Sequence, residues 1–542
     1  MVSLNSIEAD FYKLRSEIIK RKYLLEAFSL LLILGLVTIE TKIIYQSNWI
    51  NYLLYDGDSL TLALLVKSIF IKHEAFKYIG SAQLNLFPEG IIYLSCYFLT
   101  KSFKASLLLN SYVNILLLYL CIRLIVSQLK FLKYISKISL SLFMIIIFMI
   151  IIFSEKQMNP TSGIATTFLL NTYYSGCIFA GLLDIYIILK ILSRPILFKM
   201  SEAIFITLFL SAVTISNPLF IVQFTIPIIL ILSLMVFTKK IVLRKYLLIS
   251  FINYLALSIY FITSKFLKNL YGVSPGRHIN LNLLRHPTAF SPFNFFSDYI
   301  EMFGAGYKPS FNSEIHAFIP VILYFAIIIF LLLNKGRKSK NVIYIFLKVF
   351  VISYPMILYL TLFLVKDAAI RYFEPLYIVT IIGTIIMTEN RKVIKTINYI
   401  TIFSVPIIIL FSIYALKYPQ KIITTETPSL NCFAENTKPN SDRALSPYGL
   451  RYLELYGDST VNQSAYNYKE YPWLINMANY DNHKYNLLLK IKSFSEFNNF
   501  NTTLGPNETI FGKPITVKEC GLFYIYRYQR PILIFEEAKP QD

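Results

Sequence analysis

Long uninterrupted apolar stretches dominate the chain, near 24–44, 105–128, 135–153, 165–189, 202–216, 218–237, 246–266, 317–333, 342–365, 375–388 and 397–416. About 20 apolar residues in a row match the hydrocarbon thickness as a helix. Half-buried strands and surface helices would instead alternate with periods of two or 3.6. The pattern therefore predicts about eleven transmembrane helices. A further apolar segment, 86–100, is shorter and opens Leu86-Phe87-Pro88-Glu89-Gly90. Its length predicts a re-entrant or juxtamembrane helix that does not cross. Residues 1–22 are polar and charged, and the first run has no small-residue cleavage site, so a span is expected there rather than a signal peptide.

The basic residues orient this array. If 86–100 does not cross, five short loops on one side collect eighteen Lys and Arg, from Arg123, Lys130, Lys133 and Lys137 to Arg391, Lys392 and Lys395. The short loops opposite hold only Lys156, Lys366 and Arg371. Cytoplasmic loops carry such an excess, and Lys13, Arg15, Lys20, Arg21 and Lys22 place the N-terminus with them. The expected topology is N-terminus inside and C-terminus outside, in a bacterial inner membrane. The bacterial assignment follows the wealth of Ile, Lys, Asn and Tyr.

Polar character then concentrates on the outer side: 46–85, 267–316, the Lys366–Pro375 turn and the tail 417–542. The division is a transmembrane domain, 1–416, and an extracytoplasmic domain, 417–542. In the tail, Lys484–Phe494 and Thr516–Phe535 read as strands between Asn, Pro and Gly turns. The predicted fold class is thus an all-α polytopic membrane protein with a small mixed α/β outer domain. Cys432 and Cys520 lie in the tail and the other three cysteines in apolar segments. An oxidising outer compartment favours a Cys432–Cys520 disulfide over two buried thiols.

Composition agrees with this class. Hydrophobic residues make up 56% and charged residues 15% of the 542, with mean hydropathy +0.56. The net charge of +21 is accounted for by membrane topology and anionic lipid, so no nucleic-acid partner is expected. Five cysteines without a CxxC and five histidines give no metal-site pattern.

Four polar stretches are candidates for chemistry. Tyr55-Asp56-Gly57-Asp58-Ser59 follows the first span; Asp56 or Asp58 fits a general base or a cation ligand, the alternative being that Asp58 or Ser59 caps a helix over Leu60–Phe70. Gln83, Asn85, Pro88 and Glu89 precede the short helix, as ligand contacts or as caps. Arg277-His278 and Arg285-His286, within 267–316, suit phosphate or lipid headgroups. In Lys366-Asp367-Ala368-Ala369-Ile370-Arg371-Tyr372-Phe373-Glu374-Pro375, outward Lys366 and Arg371 point to an anionic partner. Surface pairing of Lys366 with Asp367, or of Arg371 with Glu374, is the alternative.

Asp56 and Asp58, Phe87-Pro88-Glu89 and Arg371-Tyr372-Phe373-Glu374-Pro375 stand in an order that resembles the GT-C superfamily of integral-membrane glycosyltransferases. The likeness covers 1–416 in architecture. The chain departs from it in having Asp-Gly-Asp for the usual acidic motif and one Pro where two often open the juxtamembrane helix. Size and the outer C-terminal domain are similar to the serotype-converting O-antigen glucosyltransferases.

The resemblance implies an inverting enzyme with a polyprenyl-phosphate sugar as donor and a cell-surface glycan or lipopolysaccharide O-antigen as acceptor. It implies Asp56 or Asp58 as base, and Arg371, Arg277, Arg285 and Lys366 at the donor phosphate. Gln83, Glu89, His278, His286 and Tyr372 would contact substrate, with Tyr93 and Tyr372 stacking on sugar faces. No cofactor or metal is expected. The competing readings are an O-antigen polymerase or ligase working through 267–316, and a lipid-linked glycan transporter, for which Asn171, Asp184 and Asn253 would be the intramembrane polar groups.

Overall fold

The computed structural model describes residues 4–45, 53–55, 59–71, 73, 85–155, 168, 175–193, 200–271, 326–331, 341–362, 370–417, 426–438, 441–446, 451–457, 460–463, 485–491 and 513–532. Each apolar run carries a helix within these residues. In chain order they are α1 (Leu4–Tyr45), α2 (Thr61–Val66), α3 (Ile91–Thr100), α4 (Phe103–Ser127), α5 (Tyr134–Glu155), α6 (Ser175–Ser193), α7 (Met200–Ser216), α8 (Ile226–Phe237), α9 (Leu243–Tyr271), a helical stretch over 326–331, α10 (Val342–Leu362), α11 (Leu376–Met387) and α12 (Arg391–Lys417). Six are long and apolar enough to cross a membrane: Arg21–Lys42, Phe103–Ser127, Ser175–Ser193, Leu243–Leu267, Val342–Leu362 and Arg391–Lys417. The other five runs of the expected eleven are not among these six. The molecule is a polytopic, largely helical membrane protein.

Apolar side chains build one continuous core through the bundle, with Phe148, Phe168, Phe220, Phe224, Phe346 and Phe350 among its largest fully buried members. Hydroxyls inside the helices turn back to their own backbone: Thr207 donates to the Ala203 carbonyl, Ser211 to Thr207 and Thr214 to Leu210. That satisfies them without water.

The two ends of the bundle differ. At one end Glu26 of α1 accepts from Arg123 of α4 (Nη2–Oε1 2.6 Å) and from the Tyr134 hydroxyl of α5 (2.8 Å). There too Lys245 caps α6 by donating to the Leu192 carbonyl at 2.7 Å, as a cation at a helix C-terminus should. These contacts join the basic loops. The opposite end holds the turn before α3, the start of α6, the end of α7 and the turn before α11.

The small domain follows α12. It contains α13 (Glu426–Asn436), β1 (Arg443–Ser446), α14 (Arg451–Tyr456), β2 (Thr460–Gln463), β3 (Tyr485–Ile491), β4 (Thr516–Cys520) and β5 (Phe523–Ile532). The strands form one mixed sheet, ordered β2-β1-β3-β5-β4. β1 runs parallel to β2 and β3, and β5 antiparallel to β3 and β4. The expected strand over Thr516–Phe535 divides into a hairpin. Gly521 adopts φ +58°, which glycine takes without strain, and the chain reverses at Gly521-Leu522. Cys432 of α13 is bonded to Cys520 of β4.

Candidate functional site

The segment 85–90 departs from regular helix. Asn85 takes a left-handed conformation (φ 48°) and Phe87 an extended one, and Leu86–Gly90 forms a π-helical turn leading into α3. Asparagine tolerates that region because its short polar side chain can bond locally. Two bonds fasten the turn to the end of α7: the Asn85 amide donates to the Ser216 carbonyl (3.2 Å) and the Phe87 amide to Ser216 Oγ (2.8 Å). Asn85 makes no side-chain cap on the turn.

This anchoring turns Glu89 inward. It is only 3% exposed, and its carboxyl lies by the backbone amides of Glu89 itself and of Gly176. The carboxyl lies against Gly176 in the first turn of α6. A Cβ built on Gly176 would come within 2.2 Å of Glu89 Cδ, so the approach requires glycine. Glu89 thus sits at the N-terminus of a different helix, not as a cap of its own. The unpaired amides and partial positive charge of that end favour an anion.

Next to Gly176, the Cys177 thiol is buried, with Asn217 as a hydrogen-bond partner and the carboxyls of Glu89 and Glu374 within electrostatic reach. Glu374 follows the 3-10 turn Ile370–Phe373 and is 3% exposed. It is a buried group, contrary to a surface pair. Gln223 Nε2 donates to the Tyr372 carbonyl at 2.9 Å and so binds this turn to the π-helical turn Ile221–Thr225. Such a turn leaves backbone carbonyls free of the regular ladder. Tyr354 and Thr361 of α10 fill two of them, donating to Gln223 O (2.7 Å) and Val222 O (2.6 Å).

A cluster of buried polar groups therefore forms where four elements end. It brings together Glu89 and Tyr372, both expected at the site, and adds Cys177, Asn217, Gln223, Tyr354 and Glu374. Polar residues within apolar runs were the available signal for Asn217 and Gln223.

The remaining expectations divide as follows. Asp56, Asp58, Gln83, Arg277, His278, Arg285, His286, Lys366 and Asn171 lie outside the described residues. Arg371 is described in its backbone alone, within the 3-10 turn. Tyr93 is fully buried between α3 and α4, with its hydroxyl 2.9 Å from Ser106 Oγ. The N-cap of α2 is Leu60, which makes no side-chain bond to the helix. Asp184 is buried inside α6, and Asn253 donates to the Ile249 carbonyl of its own helix.

No known family model matches the sequence, and no curated protein matches it significantly.

Proposed function

We propose that this chain is a GT-C-type inverting glycosyltransferase of a bacterial inner membrane. It moves a sugar from a polyprenyl-phosphate donor to a cell-surface glycan or lipopolysaccharide O-antigen on the outer face. One observation carries the reading. Glu89 and Glu374 of the Tyr372–Glu374 turn, nearly three hundred residues apart in sequence, both stand near the buried Cys177 thiol at a single end of the bundle. These are two of the three stretches on which the resemblance rests.

In the proposed reaction Asp56 or Asp58 takes the proton of an acceptor hydroxyl. The acceptor oxygen bonds to the anomeric carbon as the bond from that carbon to the phosphate oxygen breaks. Polyprenyl phosphate leaves with the electron pair, and attack opposite the leaving group inverts the linkage. The leaving group is already acidic, so no strong general acid is needed. Arg371, with Arg277, Arg285 and Lys366, supplies charge-assisted hydrogen bonds to the phosphate as its charge grows. Glu89, His278, His286, Gln83 and Tyr372 face the sugars.

The test is Asp56→Asn and Asp58→Asn in the native strain, with surface glycan composition read by mass spectrometry and protein level by blot. Loss of one sugar decoration, with the protein present, is the expected outcome. Unchanged glycan in both variants sinks the mechanism and moves attention to 267–316 and the polymerase reading.

A further inference from the structure

Two contacts between α14 and the transmembrane domain are made to main chain. The Tyr456 hydroxyl donates to the Leu54 carbonyl at 2.8 Å. Lys67, at the end of α2, donates to the carbonyls of Leu455 and Gly457 at 3.0 and 3.1 Å. The final carbonyls of a helix have no partner within it, and a cation there is favoured by the local dipole. Bonds to backbone fix where a chain runs.

Rings complete the junction. Tyr55 packs edge-on against Tyr452 (centroids 5.4 Å apart) and Tyr456 (5.7 Å). Lys104 Nζ stands 3.2 Å from the Tyr55 hydroxyl and 5.0 Å from the Tyr456 ring centroid. Aromatic edges and a cation over a ring each add attraction beyond simple burial. Leu53, Leu54 and Tyr55 are at most 4% exposed, and Ser59 and Leu60 are fully buried. The chain is thus held on both sides of Asp56-Gly57-Asp58. Gly457 closes α14 where a Cβ would lie 2.4 Å from the Leu453 carbonyl oxygen.

We propose that the C-terminal domain is a brace on the first interhelical loop, with Tyr456, Tyr452, Lys67 and Gly457 as positioning residues for the acidic triplet that this loop carries. The brace itself stands on the contacts above; its effect on sugar transfer rests on the proposed function. A loop-borne catalytic group needs such support, since a displacement of about 1 Å can cost on the order of 100-fold in rate.

The test uses the full chain in lipid nanodiscs. Amide hydrogen exchange over 53–66 is followed by mass spectrometry in wild type, Tyr456→Phe, Lys67→Met and Gly457→Ala. Transfer from a polyprenyl-phosphate sugar is assayed on the same samples, with Asp56→Asn and Asp58→Asn alongside. Exchange over 53–66 is expected to quicken about tenfold when these bonds are lost. kcat should fall by about 10- to 100-fold with KM little changed. Lys67→Arg, which keeps a cation at the carbonyls, should restore most of both.

Unaltered exchange in all three variants overturns the brace, whatever transfer does. Quickened exchange with unaltered transfer, where Asp56→Asn or Asp58→Asn abolishes it, overturns its positioning role. Quickened exchange in a chain with no transfer activity keeps the brace and overturns the glycosyltransferase reading instead.

Discussion

Two buried carboxyls in this protein show how partners decide what an acidic residue does. Asp442, in the C-terminal domain, is 3% exposed and fully complemented. Arg527 grips both its oxygens at 2.8 Å, the Lys438 amide donates to one at 2.8 Å and Asn486 to the other at 2.8 Å. Burial alone would raise the pKa of this carboxyl. The bonds from Arg527, the Lys438 amide and Asn486 together outweigh burial and hold it below the ordinary aspartate range. A carboxyl with a depressed folded pKa contributes stability that is complete above its unfolded value, about 3.9. The contribution is lost as pH falls through the folded value. The domain's protease resistance should therefore hold steady down to about pH 4.5 and weaken progressively below about pH 4. In Asp442→Asn the weakening attributable to this carboxyl should disappear. Arg527→Ala leaves the aspartate buried without its cation and should cost about 3 kcal/mol near neutral pH, read as a lower denaturation midpoint. Glu89 presents the opposite case: a buried carboxyl set at a helix end, with no guanidinium on it among the described residues.

At the level of elements, the start of α6 offers a test in which the usual sign is reversed. Alanine normally stabilises a helix over glycine by about 1 kcal/mol. At Gly176 the added Cβ meets the Glu89 carboxyl at 2.2 to 2.5 Å, and either the turn Leu86–Gly90 or α6 has to move. Gly176→Ala should destabilise the detergent-solubilised protein by about 1–3 kcal/mol through overpacking, read as a lower melting temperature. Glu89→Ala should relieve most of the loss in the double variant, giving a non-additive cycle. Additive losses would mean that the two residues do not share this space. The same elements show what sequence can convey. Helix positions were legible because a long apolar run has one stable form in hydrocarbon. The turns Leu86–Gly90, Ile221–Thr225 and Ile370–Phe373 were not, since each is held by a distant partner: Ser216 for the first, Tyr354 and Thr361 for the second, Gln223 for the third. Glu89 and Tyr372 stood out as polar groups beside spans. Nothing local distinguishes Glu374 as buried, or Tyr93 as packed away against Ser106. The strand pair at Gly521 was half legible: the apolar alternation showed, while the reversal depended on one glycine's backbone.

For the whole molecule, orientation is the property on which the proposed chemistry depends, and the cysteines can report it. The end of the bundle with the Glu26–Arg123 pair joins the basic loops and should face the cytoplasm. The buried carboxyls Glu89 and Glu374 and the C-terminal domain lie at the other end. The Cys432–Cys520 bond closes a loop of sequence separation 88. By the chain-entropy account such a link is worth about 4.6 kcal/mol, provided the compartment lets it persist. Structural disulfides persist outside the cytoplasm and are reduced within it. Cys96, Cys121 and Cys177 are buried free thiols. In cells quenched with acid and then denatured, a maleimide should therefore modify three of the five cysteines, and all five only after reduction. Protease added to spheroplasts should remove the tail while leaving the basic loops intact. Five reactive cysteines without reduction, together with a protected tail, would place the domain in the cytoplasm. The buried carboxyls would then face away from any sugar carried on the outer leaflet, and the orientation read from charge would fall with them.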